Sequence, residues 1–104
     1  MTSATDTDAL LDAYIKAKRR LWETEVVYQK SRRRTAGNAI PGEEAQLMGS
    51  ATDAIEAMLT AEDNAIEARL AYLQARWAQG DDGRLDLRTR EAGERWGWDS
   101  QNRL

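Results

Sequence analysis

The sequence predicts an all-α protein: a long antiparallel two-helix hairpin of coiled-coil type, followed by a short C-terminal helical or irregular segment. Three observations carry this expectation. Seventeen alanines stand against seven glycines and one proline, and alanine is the strongest helix former while proline is the weakest. Apolar residues recur at three- and four-residue spacing through two long tracts, which is the period of an amphipathic helix. Glycine-containing breaks at Gly37-Asn38 and at Gly80 close the two tracts, as helix C-termini require.

The first helix is expected from about Thr7 to about Arg34, with Asp6 or Thr7 as cap and Asp8 and Asp12 favourably placed at the positive end of the helix dipole. At about 100° per residue from Leu10, the residues Leu10, Tyr14, Leu21 and Tyr28 fall between about 0° and 40°. Leu11, Ile15, Trp22 and Val26 fall between about 100° and 160°, so that the two groups merge into one broad apolar face.

The second helix is expected from near Pro41 to Gln79, with Ser50 as an alternative start because Gly49 interrupts the run. Gly80 is its stop. Counted from Leu47, the residues Ala51, Ile55, Met58, Leu59, Ala65, Ile66, Leu73 and Trp77 again fill one face. About 38 residues make a rod of roughly 57 Å, against roughly 42 Å for the first helix. With a turn at residues 35–41 the second helix should overhang the first. Tyr72, Leu73 and Trp77 would then need cover from the C-terminal segment or from a second subunit.

Residues 1–80 therefore form the hairpin, and residues 81–104 a separate tryptophan-containing segment. Asp81-Asp82-Gly83 reads as a turn, and Asp86 as the cap of a short helix to about Trp96 that Gly93 weakens. Trp96-Gly97-Trp98-Asp99 reads as an aromatic plug on a flexible joint.

Composition excludes several chemistries. With no cysteine and no histidine, the chain lacks thiolate ligands, cysteine nucleophiles and the commonest general base. The glycines are scattered, so no phosphate-cradling loop is present. Adjacent carboxylates such as Glu43-Glu44 and Glu62-Asp63 point about 100° apart on a helix and do not converge on a substrate. No catalytic residue, cofactor or metal is expected. No apolar run approaches the roughly 18 residues of a membrane span, and a cytoplasmic protein is expected, or a virion protein if phage-encoded. Twelve arginines against three lysines, with so much alanine, fit a GC-rich coding source of the actinobacterial or phage kind.

Charge is unevenly spread. Residues 1–40 carry eight basic and five acidic groups, and residues 41–80 carry two basic and seven acidic groups, within a net charge of −3. Complementary charge along a hairpin accounts for this. The alternative is a phosphate-contacting patch made by Arg19, Arg20, Lys30, Arg32, Arg33 and Arg34. Lys18 and Glu62 lie between the apolar rows at matching heights, which suggests an interhelical ion pair that sets register. A polar pocket between helices, of the kind helical chorismate mutases use, would be a further alternative; no residue pattern here matches theirs. Nor does the chain resemble the secreted WXG proteins, whose Trp-x-Gly signature occupies the central turn. Here that turn holds Gly37-Asn38-Ala39-Ile40-Pro41, and Trp96-Gly97 lies at the other end.

Two helices alone bury little surface, and small scaffolds without disulfide or metal commonly recruit another chain. The expected partners are therefore a second copy, completing a four-helix bundle, and another protein docked through Trp96, Trp98, Trp77, Tyr72 and Leu73. The expected function is non-enzymatic interaction or assembly.

Overall fold

A computed structural model describes residues 4–36 and 44–102, with side chains described for residues 6–33 and from residue 51 onward. The described residues form three helices: α1 Ala4–Ala36, α2 Glu44–Ala78 and α3 Arg84–Gln101. The all-α hairpin is as expected. α1 and α2 pack antiparallel along their length, and α3 returns along α1. The result is a rod of 60 × 25 × 16 Å.

Two rows of residues on each long helix explain this arrangement. Along α1, Leu10, Tyr14, Ala17, Leu21, Thr24 and Tyr28 repeat at alternating four- and three-residue steps and face α2. Tyr14, Leu21 and Thr24 of this row are buried. One position further on, Leu11, Ile15, Lys18 and Trp22 repeat in the same way and face α3. The row of α2 that meets α1 is Ala54, Met58, Ala61, Ala65, Ala68 and Tyr72, in which the alanines at 54, 61 and 65 are at most 5% exposed. Bulky side chains of α1 thus pack against small ones of α2, the alternation of volume that close packing requires. Thr24 enters this seam with its hydroxyl satisfied, donating to the Leu21 carbonyl at 2.7 Å.

Several sequence expectations change. Asp6 and Thr7 lie inside α1, which is already helical at Ala4 and continues to Ala36, so neither is the cap. α2 is helical through Gly49, which removes Ser50 as its start. Pro41 and the Gly37-Asn38 stop lie outside the described residues. The described α1 and α2 have 33 and 35 residues, so the expected overhang is absent. Tyr72 and Leu73 are instead core residues with Tyr14, Ile15 and Leu87.

Gly80 does end α2. It adopts φ +84°, the Gly80 amide donates to the Trp77 carbonyl at 2.9 Å, and the Asp81 amide donates to the Arg76 carbonyl at 2.9 Å. That pair of bonds is a Schellman closure, which satisfies carbonyls the helix leaves open. α3 then starts after Gly83 rather than at an Asp86 cap. Asp86 lies in its first turn and accepts from Arg76 at 2.8 Å. The helix runs unbroken through Gly93 and Gly97 to Gln101, so the expected flexible joint at residues 96–99 is a regular helix.

Candidate interaction surface

α3 sorts its tryptophans by helix face. Leu87, Glu91, Glu94 and Trp98 recur every three or four residues and point at the hairpin. Leu87 is 2% exposed within the Tyr14, Ile15, Tyr72 and Leu73 cluster. Trp98 lies on Trp22, ring centroids 5.9 Å apart and tilted by 50°, and the Arg95 guanidinium sits 5.1 Å from the centre of the Trp22 ring. Between these anchors the Tyr14 hydroxyl donates to Glu91 at 2.6 Å, Lys18 pairs with Glu91 at 3.2 Å, and Arg90 pairs with Asp12 at 3.1 Å. Arg19 and Arg90 both bond Glu94. Exposed ion pairs of this kind contribute about 0–1 kcal/mol each, whereas burying a leucine is worth about 1.5–3 kcal/mol. The apolar anchors hold α3 down, and the charges set where along α1 it sits.

The expected pair Lys18–Glu62 is thus replaced by Lys18–Glu91, because α3 brings a carboxylate over α1 that the hairpin alone does not supply. Glu62 remains across an open groove of about 360 Å³ lined also by Tyr14, Lys18, Glu25, Ile66 and Arg69. Of the residues expected to dock a partner, Tyr72 and Leu73 are buried at 2% and 4% and are removed from that role. Trp98 is half-buried against Trp22. Trp77 and Trp96 are exposed, at 51% and 76%.

Among the described residues, the exposed large apolar side chains other than Val27 fall on two surfaces. One is the outer face of α3, where Leu85 and Trp96, both 76% exposed, stand three turns apart on the same side. The other is a row on α2, one position beyond the alanine seam: Ile55, Leu59, Ile66, Leu70 and Trp77, exposed between 37% and 56%. The sequence placed Ile55, Leu59 and Ile66 in the core. Their displacement by about 100° from the alanines was visible in the spacing, but both rows fit within one broad apolar face.

The basic residues do not converge. Arg19 is committed to Glu94, and Arg20 faces Glu23 at 3.8 Å. Lys30, Arg32 and Arg33 are exposed and point in different directions around α1; the Arg34 side chain lies outside the described residues. Among the described residues no group of three or more acidic side chains is arranged to hold a metal ion, and no helix is long and apolar enough to cross a membrane.

Two groups at the α1–α3 contact give it a pH window. The hydrogen bond from Arg19, with a second from Arg90, holds Glu94 below its ordinary 4.5. A carboxylate depressed in the folded state stabilises it fully above that ordinary value, and the contribution is lost as pH falls through the folded value. Burial, reinforced by the hydrogen bond to Glu91, pushes the Tyr14 phenol above its ordinary 10.0. A raised phenol stabilises fully below pH 10 and progressively less above it. Near-UV circular dichroism of the Trp22–Trp98 pair is therefore expected to be flat from about pH 5 to 10 and to weaken on both sides. Arg19→Ala should reduce the acid limb; an unchanged acid limb in that variant would show that Glu94 is not its source.

No protein-family model, curated protein or solved structure matches this chain.

Proposed function

We propose that this protein is a non-enzymatic interaction or assembly module: an adaptor, a phage or prophage structural component, or a small regulator that binds another protein. The observation that supports it most is the exposure of large apolar side chains in two organised sets, the α2 row and the Leu85–Trp96 face of α3. Scattered apolar residues on a surface are ordinary, whereas a continuous row such as Ile55, Leu59, Ile66, Leu70 and Trp77 marks an association site. Tryptophan is the residue most enriched at the energetic centres of interfaces, and Trp96 has no packing role in its own chain that would account for it. The helical rod offers rigid faces, so binding loses little conformational entropy.

The reading is tested by affinity retention with wild-type protein and with a Leu85→Ala/Trp96→Ala variant. Both positions are exposed, so the variant should keep the helical circular dichroism and the melting transition of the wild type. A protein held by the wild type and lost by the variant is the expected result. Identical retention by both would remove the α3 face from the proposal.

A further inference from the structure

We infer that the α2 row is the contact with a second copy of this chain, the two α2 helices lying antiparallel about a two-fold axis at Ile66. This deepens, and rests on, the reading of the protein as an association module. α1 carries two apolar rows and both are covered, the first by α2 and the second by α3. α2 also carries two rows, but its second is covered only near Leu73, by Leu87. From Ile55 to Trp77 the uncovered row extends about 33 Å within a sector of about 60°, the dimensions of a helix–helix seam.

The order of residues along this row selects the occupant. Ile66 is equidistant from Ile55 and Trp77, eleven residues to either side. An antiparallel pair centred there sets Ile55 against Trp77 of the other copy and Ile66 against its own counterpart. Glu62 lies four residues before the centre and Arg69 three after it, so Glu62 of one copy is level with Arg69 of the other to within about 1.5 Å along the axis. The two charges share the same edge of the row, about 20° apart, and a two-fold axis normal to the helix pair brings that edge onto itself. Two Glu62–Arg69 pairs then flank the contact, one on each side of Ile66. Among the described residues neither side chain has an ion pair in its own chain. In a parallel pair the two-fold runs along the helices and puts the charged edges of the two copies on opposite sides of the seam, where Glu62 and Arg69 do not meet. An unrelated partner would require no such symmetry within this chain.

Sedimentation equilibrium on four proteins tests the inference. Wild type is expected to dimerise at micromolar concentration. Glu62→Arg and Arg69→Glu should each weaken the dimer at least about tenfold, since each replaces two attractions by two repulsions. The Glu62→Arg/Arg69→Glu double variant should return to within about threefold of wild type. The chain has no cysteine, so oxidation of an equal mixture of Ile55→Cys and Trp77→Cys proteins should give the mixed disulfide over either homodimer. A double variant as weak as the single ones overturns the pairing. A monomeric wild type that still loses its partner in the Leu85→Ala/Trp96→Ala variant overturns the pairing and leaves the association reading intact. A monomer with no such loss overturns both.

Discussion

Leu87→Ala is expected to destabilise the protein by about 2–5 kcal/mol, the range for truncating a buried leucine. It is the only buried side chain of α3, it is 2% exposed, and it lies among Tyr14, Ile15, Tyr72 and Leu73. Domains of this kind have a total stability of about 5–15 kcal/mol, so the loss is a large fraction. Neighbouring groups cannot easily close the gap, because Tyr14 is held through its hydroxyl by Glu91 and Tyr72 through its hydroxyl by Arg76. The cavity should loosen α3 before the hairpin. Urea unfolding followed by far-UV and near-UV circular dichroism checks this. The near-UV signal of Trp22 and Trp98 should fall at lower urea than the helical signal, and a shift below about 1 kcal/mol would show that α3 is anchored elsewhere.

The second large effect is expected at the α2–α3 corner. Gly83 has φ +75°, and a Cβ placed there would stand 2.8 Å from Arg76 Cγ and 2.9 Å from Arg76 Cβ. The guanidinium is in turn held by Asp86 at 2.8 Å and the Tyr72 hydroxyl at 2.7 Å, with Asp81 at 3.7 Å. Because Arg76 Cβ belongs to the helix, it cannot move aside without shifting α2. Gly83→Ala should therefore cost about 1–2 kcal/mol for the left-handed backbone and about 1–3 kcal/mol more for overpacking. Gly80→Ala is the control. Its φ of +84° imposes the same backbone cost, but nothing lies within 4 Å of the added methyl group. Thermal melts should rank wild type above Gly80→Ala and Gly80→Ala above Gly83→Ala. Equal losses at the two glycines would mean that the close approach of Arg76 contributes nothing.

Much of the helical framework was legible in the chain. The Gly80 stop followed from glycine's access to the left-handed region, a local property that no tertiary contact has to supply. The existence of two long helices followed from period and alanine content. Boundaries were less legible: α1 extends past both expected ends, and at the first of them Thr7 is buried at 5%, so that packing there overrides the preference of Asp6 and Thr7 for a cap. α3 was underestimated for a similar reason. Two glycines lower its intrinsic helicity by about 1 kcal/mol each, yet Leu87 near its start and Trp98 near its end are both anchored on the hairpin, and docking at both ends holds the helix between them.

The candidate surface was only half legible. Trp96 and Trp98 are two residues apart, and in a helix that spacing sends them to nearly opposite sides. Once α3 is helical, one of them must face away. Reading the segment as irregular hid this consequence.

By itself the sequence determined that the chain makes long amphipathic helices, where the second of them stops, and that each long helix bears one broad apolar face. Those are consequences of period, propensity and glycine geometry, all local. Only the tertiary structure decided which row each neighbour covers. Rows offset by about 100° are equally apolar to a periodicity count, and the choice between them depends on matching volumes across the contact. Tyr14 and Leu21 fit against Ala61 and Ala65, while Ile66 and Leu59 are left facing outward. The hairpin with which the sequence could be identified is therefore completed on one side by its own third helix, and on the other carries the seam proposed for a second copy.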